Sequence, residues 1–453
     1  MMSLSARKLL QACVLLTVTV VALVAPSLAS AEFKIAQCAG EGIHGKGSSL
    51  QKLLQTTVWN PDFSTSANLA ACNGTQGSGG TPKVTYTSTG SGAGLESWGV
   101  ETKPGGEINF GHENAFVGTE IAPNQKQKEE IESHGPGGKL LTIPVVQAAI
   151  AIAVHLPTGC TATGGLVPGR LALKQKTIEK VFQGTIFTWS KILNKAKLVG
   201  TGCNPAAPIT RVVREDGSGT TATFMKWLWV EFPKPVYPGE VTWKQEAEKA
   251  DNITWPNEAE HPVVRGNGGG GVAKKVAETA GSIGYVNLAD ARNNGAFSPP
   301  TGGAGKSTFW VEVENHKESY SDPSTDGDEE AKANSNCDET LYTNGKKKFP
   351  PPSTEEVWNE VTTSKKQINY EICGLSYSLE LTKFSAYTKE TLELPTEAEA
   401  RTAFDYTGWL LNSSAGGGQK VAEGVDYLGL PTAEEASQNV LLIARKGAEK
   451  IGF

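Results

Sequence analysis

Between Leu140 and Leu156 the chain reads LLTIPVVQAAIAIAVHL. A run this apolar must be buried, and its isoleucines and valines favour extended backbone. It is shorter than the roughly 20 residues a helix needs to cross a bilayer, and Pro144 interrupts it. It is therefore expected to form buried strands of the parallel type, which are apolar on both faces. Short strand and helix patterns alternate around it. Strands are expected over 83–87, 115–118, 209–213 and 282–286, and helices over 177–183, 190–195, 220–230, 271–280, 397–411 and 434–451. That alternation indicates an α/β architecture. The stretch 297–368, rich in Pro, Gly, Ser, Asp, Glu and Lys, breaks the rhythm and reads as a solvated, loop-rich insertion.

The N-terminus carries Arg7 and Lys8, an apolar segment from Leu9 to Ala25, then Pro26 and the small residues Ala29-Ser30-Ala31. This is the layout of a cleaved secretory signal peptide over residues 1–31. The mature protein is expected outside the cytoplasm, periplasmic or extracellular. Cys13 stands too early in the apolar run to become a lipid-bearing N-terminal cysteine. Six cysteines follow: Cys38, Cys72, Cys160, Cys203, Cys337 and Cys373. An even number in an exported chain suggests disulfides. Six cysteines allow fifteen pairings; the simplest is sequential, Cys38–Cys72, Cys160–Cys203 and Cys337–Cys373. No Cys-x-x-Cys is present and the six histidines show no ligand spacing, so no metal site and no cofactor are expected.

Removing residues 1–31, which hold two basic residues and no acid, takes the formal charge from −6 to −8. An acidic chain is not a nucleic-acid binder, which needs Lys and Arg to displace counterions. The 51 glycines are the more informative count, because many stand beside hydroxyl residues where helices begin. Gly47-Ser48-Ser49-Leu50 leads into LQKLLQTTVW, Gly90-Ser91-Gly92-Ala93-Gly94 into LESWG, and Asp216-Gly217-Ser218-Gly219-Thr220-Thr221 into ATFMKWLWV. The first turn of a helix has free N–H groups and the positive end of the dipole. Glycine lets an anion approach them. Three such turns could surround a tetrahedral oxyanion. Arg214 precedes the third and offers a planar fork suited to phosphate oxygens; Asp216 could hold that fork.

These segments carry a resemblance. VVREDGSGTTATF at 212–224, GSIGYV at 281–286, VTYTSTGSGAG at 84–94, FVGTEIAP at 116–123 and GKGSSL at 45–50 resemble the phosphate-binding proteins of phosphate-specific ABC transporters. YEICGLSYSLEL at 370–381, FDYTGW at 404–409 and VDYLGLP at 425–431 extend the resemblance over nearly the whole mature chain apart from the insertion. It implies an α/β, two-lobed periplasmic binding protein fold with two hinge crossings and the ligand in the interlobe cleft. Lobe 1 would comprise 32–145 plus 287–453, and lobe 2 would comprise 146–286. Ser49, Leu50 and Ser91 would bind phosphate from lobe 1. Arg214, Ser218, Gly219 and Thr220 would bind it from lobe 2, with Asp216 holding Arg214. Glu120 stands where the family has Asp, with one extra residue before Pro123; its carboxylate would accept the proton that phosphate still carries. The implied partners are inorganic phosphate and the membrane permease of an ABC transporter, with the protein a monomer and not an enzyme.

Other readings are weaker. Gly302–Thr308 imitates a phosphate-binding P-loop, but Pro300 replaces its first glycine and a strand pattern follows. Gly266–Gly271 fits G-x-G-x-x-G only because glycine is abundant, and the resemblance makes it a loop near the anion. Two rival functions stay open: a binder of another oxyanion or phosphorylated solute on the same fold, and a secreted phosphate-ester hydrolase. Neither a metal cluster nor a nucleophile–base pair supports the hydrolase.

Overall fold

The computed structural model describes residues 41–64, 82–102, 114–134, 138–163, 169–192, 197–236, 242–247, 254–300, 305–324, 337, 340–365, 369–383, 397–432 and 439–452, all within the unit Phe33–Phe453. Ten strands join in one sheet system. They are β1 (Ile43–Gly47), β2 (Val84–Ser88), β3 (Phe116–Thr119), β4 (Leu140–His155), β5 (Thr210–Arg214), β6 (Val263–Gly266), β7 (Ser282–Asn287), β8 (Thr308–Trp310), β9 (Cys373–Leu381) and β10 (Tyr427–Leu428). The main path runs β2-β1-β3-β9-β4-β7-β5-β6, with β8 and β10 pairing to β4 off that path.

The apolar run is thus one 16-residue strand, buried at every position but the last. It passes through Pro144 with one extra residue of its own: Ser376 and Tyr377 of β9 face Val146 and Pro144, and Val145 is skipped in the register. The expectation of parallel pairing is corrected, since β4 is antiparallel to β9, β7, β8 and β10. β4 is apolar on both faces because elements cover both, not because its neighbours run parallel to it. Its N-terminal part, Leu140–Ala149, pairs with β9, and its C-terminal part, Ile150–His155, pairs with β7. The handover falls between Ala149 and Ile150, so one strand serves two sheet halves. Parallel pairs flank it on each side: β2, β1 and β3 in one half, β6, β5 and β7 in the other.

The segment 297–368 carries more structure than its composition indicates. β8 pairs with β4, Glu312–Glu314 pairs with Ala172–Leu173 and Tyr320–Ser321, and Tyr342–Asn344 pairs with Val361–Thr363. These strands are too short to show a period of their own. Cys337–Cys373 ties the segment to the first residue of β9, and Cys160–Cys203 closes a second loop. Cys38 and Cys72 lie outside the described residues. Among the described residues no helix is long and apolar enough to cross a membrane.

One core carboxyl has a measurable consequence. Glu380 of β9 is fully buried and accepts hydrogen bonds from Ser378 Oγ (2.8 Å) and Thr407 Oγ1 (3.1 Å). Burial outweighs these bonds and pushes its carboxyl up to about 8, from an ordinary value of 4.5. The folded state therefore holds the proton more tightly than the unfolded chain does. That stabilisation is fully present below about pH 4.5 and is lost as pH rises through about 8. Glu380→Gln, which keeps the shape without the charge, should melt a few degrees above wild type at pH 8.5. The two should coincide near pH 5, as calorimetric melting curves at both pH values would show.

Candidate anion-binding site

Five of the strands in parallel pairs end toward one set of loops, several of which carry the glycine–hydroxyl turns. β1 runs into Ser48-Ser49-Leu50, β2 into Thr89-Gly90 and helix α1 (Ser91–Glu96), and β3 into Glu120. β5 runs into Asp216-Gly217-Ser218 and helix α2 (Gly219–Glu231), and β6 into helix α3 (Gly268–Glu278). The C-terminal ends of parallel strands are where open α/β sheets bind ligands.

Glu120 is the centre of the first half. It is buried, and three hydroxyls donate to its carboxylate: Ser48 Oγ (2.5 Å) and Ser376 Oγ (2.7 Å) to Oε1, and Ser91 Oγ (3.0 Å) to Oε2. Burial raises its affinity for a proton above the ordinary glutamate value. The bonds from Ser48, Ser376 and Ser91 and the charge of Arg214 oppose that without cancelling it. The Leu50 N–H donates to Ser48 Oγ (3.0 Å). The Leu50 carbonyl accepts from the Tyr427 hydroxyl (2.5 Å).

Arg214 is the centre of the second half. Its side chain is almost wholly buried, and it donates from Nε to Asp216 Oδ1 (2.8 Å) and from Nη2 to Asp216 Oδ2. This fork uses two of the five guanidinium N–H groups. Asp216 Oδ1 also accepts from the N–H of Gly268 (2.9 Å), which ties the arginine to the start of α3. Ser218 caps α2 by accepting from the Thr221 N–H (3.1 Å), and Gly219 and Thr220 follow, both buried, in the first helical turn. The Tyr285 hydroxyl bonds with Thr221 Oγ1 (2.6 Å) and accepts from the Arg214 N–H (3.2 Å). Burial pushes its phenol up to about 12, so it stays protonated.

The two groups meet. The Gly92 N–H donates to the Gly217 carbonyl (3.2 Å), and the Gly269 N–H donates to Ser49 Oγ (3.2 Å). Gly90 sits at φ 91° against Asp216 and Gly217, where a Cβ would come 2.5 Å from the Gly217 carbonyl oxygen. Gly219 is equally confined: a Cβ there would lie 2.5 Å from Ser91 Oγ and 2.8 Å from Glu120 Cβ. The structure therefore gathers Ser49, Leu50, Ser91 and Glu120 with Arg214, Ser218, Gly219, Thr220 and Asp216. Chemically this is a set of fixed donors and one buried cation facing one buried, hydrogen-bonded acid.

Sequence reasoning overlooked several members. Ser48 was visible as the neighbour of Ser49. Gly268 and Gly269 lay in a glycine run read as a loop, whereas they open α3. Ser376 is 256 residues from Glu120, and no local pattern joins them. Asp290, which follows β7, lies against Gly269. Burial pushes its carboxyl up to about 7 despite the nearby charges of Arg214 and Lys52.

A family model described as a PBP superfamily domain matches residues 65–347. The chain belongs to the PBP superfamily. Two curated relatives are similar to parts of it. The phosphate-binding protein PstS of Xylella fastidiosa is 33% identical over 146 residues, which is 30% of this chain and 35% of that relative. PstS of Haemophilus influenzae is 26% identical over 251 residues, covering 54% of this chain and 58% of the relative. The chain thus spans only part of the length of each. Among solved structures, a high-affinity periplasmic phosphate-binding protein (PfluDING) bound with phosphate is similar, with a TM-score of 0.55 at 18% identity. It covers 91% of this chain and 99% of that one. The phosphate-binding protein of Stenotrophomonas maltophilia gives a TM-score of 0.54 at 16% identity, over 89% of this chain and 93% of that one. At such identities the likeness establishes the fold, the two-lobed α/β architecture of the PBP superfamily.

Proposed function

We propose that this PBP superfamily member binds inorganic phosphate between its lobes outside the cytoplasm and delivers it to the membrane permease of an ABC transporter. One observation carries the reading: a buried Arg214, gripped by Asp216 at the start of α2, shares a site with a buried Glu120 held by three serines. A fully ionised oxyanion would find the donors attractive and the carboxylate repulsive. Phosphate near neutral pH keeps a proton and can donate it to Glu120, so the same site attracts it on both counts. No bond is made or broken; affinity comes from replacing the anion's water by fixed donors. The curated relatives named above are phosphate-binding proteins, which supports the ligand. The signal-peptide layout of residues 1–31 supports export.

In this reading, lobe 1 is 32–145 plus 287–453 and lobe 2 is 146–286. The handover within β4 at Ala149/Ile150, four residues beyond the proposed boundary, and the end of β7 at Asn287 support two crossings near these positions. The strands at 308–314 depart from that division, since they pair with Ala153–His155 and Ala172–Leu173 of the proposed lobe 2. Calorimetric titration of the mature chain with phosphate, arsenate and sulfate tests the reading. Saturable heat with phosphate and arsenate, and none with sulfate, is expected. Binding of sulfate in preference to phosphate would overturn the ligand assignment, and turnover of a chromogenic phosphomonoester would overturn the non-enzymatic role.

Selectivity has its own test. Glu120→Gln removes the repulsive charge and adds N–H donors. Phosphate affinity should change modestly while sulfate becomes a competitor, because selectivity here is a difference built on repulsion of the wrong anion. Competition of sulfate against bound phosphate at pH 7, variant beside wild type, reads this out. Equal exclusion of sulfate by both proteins would show that Glu120 is not the selector.

A further inference from the structure

Far along α2 from its anion-facing end, three side chains converge that the site above does not use. Glu231 is the last residue of α2, His316 lies on the turn between Glu312–Glu314 and Tyr320–Ser321, and Glu371 lies just before β9. One ligand atom from each falls within 4.8 Å of the others. His316 Nε2 is 3.1 Å from Glu231 Oε1 and 3.7 Å from Glu371 Oε1. Donors sharing a tetrahedral zinc at about 2.1 Å stand roughly 3.4 Å apart, so the observed separations straddle that value. The Glu231 and Glu371 side chains are only 6% and 3% exposed. Such adjacent buried carboxylates repel each other, and burial together with Glu231 pushes the Glu371 carboxyl up to about 8. Lys365 approaches only the far oxygen of Glu231, at 3.9 Å, and is half exposed. The place is also the C-terminal end of a 13-residue helix, where the dipole favours a cation. Glu371 is already oriented: Gln175 Nε2 donates to its Oε2 and the His316 N–H donates to its Oε1 (2.8 Å). Metal sites characteristically fix their ligands in this way.

We propose that Glu231, His316 and Glu371 form a site for a divalent transition-metal cation, zinc above all, with water completing the coordination. The mixed imidazole and carboxylate donors suit zinc better than magnesium, which prefers oxygen ligands alone. A bound ion fastens the 312–321 hairpin to the end of α2 and to the lead-in of β9. The ligands lie 85 and 55 residues apart along the chain, which is why no spacing pattern revealed them.

The test uses the mature chain, stripped with EDTA and dialysed into phosphate-free buffer. Titration with Zn2+ should show one saturable site, with Mg2+ far weaker. His316→Ala and Glu371→Gln should each weaken zinc binding by roughly tenfold or more. His316→Ala should leave phosphate titration unchanged, which keeps a folding defect distinguishable from loss of a ligand. Co2+ should give a visible absorption band that His316→Ala removes. Absence of saturable zinc uptake by wild type, or uptake unaltered in His316→Ala, overturns the proposal.

Discussion

Arg214→Ala should weaken phosphate binding by on the order of 2–5 kcal/mol, roughly thirtyfold to several thousandfold. The size follows from burial. The Arg214 side chain is 2% exposed and its fork is filled on one side by Asp216. Deleting it removes the buried cation of the proposed site and leaves Asp216 there with, among the described residues, the Gly268 N–H as its partner. A carboxylate freed of its arginine then repels the ligand as well. Arg214→Lys should also lose affinity, because an ammonium cannot grip Asp216 and the anion with a planar fork. Calorimetric titration decides: unchanged phosphate affinity in the alanine variant would remove Arg214 from the site.

Gly219→Ala should be nearly as damaging to binding by a different route. The added methyl group collides with Ser91 Oγ and with Glu120, which three hydrogen bonds hold in place. These atoms belong to the other half of the site, so the methyl group pushes α2 and Glu120 apart. Overpacking of this kind costs about 1–3 kcal/mol. The expected result is a phosphate affinity lower by about tenfold or more, read by calorimetric titration beside wild type. Alanine is otherwise a favourable residue in a first helical turn. A variant that binds like wild type would show that the two halves need not come this close.

Both variants rest on features the sequence made visible to different degrees. The start of α2 was legible because Ser218, Gly219 and Thr220 are local: a cap and a first turn are written within four residues. Arg214 and Asp216 were legible for the same reason. The serine cage around Glu120 was legible only in part: Ser91 stood in a glycine-rich turn, whereas Ser376 lies inside β9, far along the chain from Glu120 and Ser48. Residues 140–156 declared their burial through apolar character, yet burial says nothing about the direction of neighbouring strands. That is how parallel pairing came to be expected of β4. The strands inside 297–368 are two or three residues long and held by distant partners such as Ala172 and His155, so composition alone made them look like loop. Pairing by order along the chain did anticipate Cys160–Cys203 and Cys337–Cys373, because each closes a modest loop.

The sharing of β4 between two sheet halves makes the protein indivisible. A fragment holding only Ile150–His155 would keep the pairing to β7 but expose the raw end of a strand at its N-terminus. A fragment holding only Leu140–Ala149 would keep the pairing to β9 but end in a raw strand at its C-terminus and leave β7 without its partner. Neither half is a portable module that could be excised, swapped into a relative or made separately and mixed. Recombination between related genes would have to exchange the whole strand together with both sets of neighbours, or leave an unpaired edge open to aggregation.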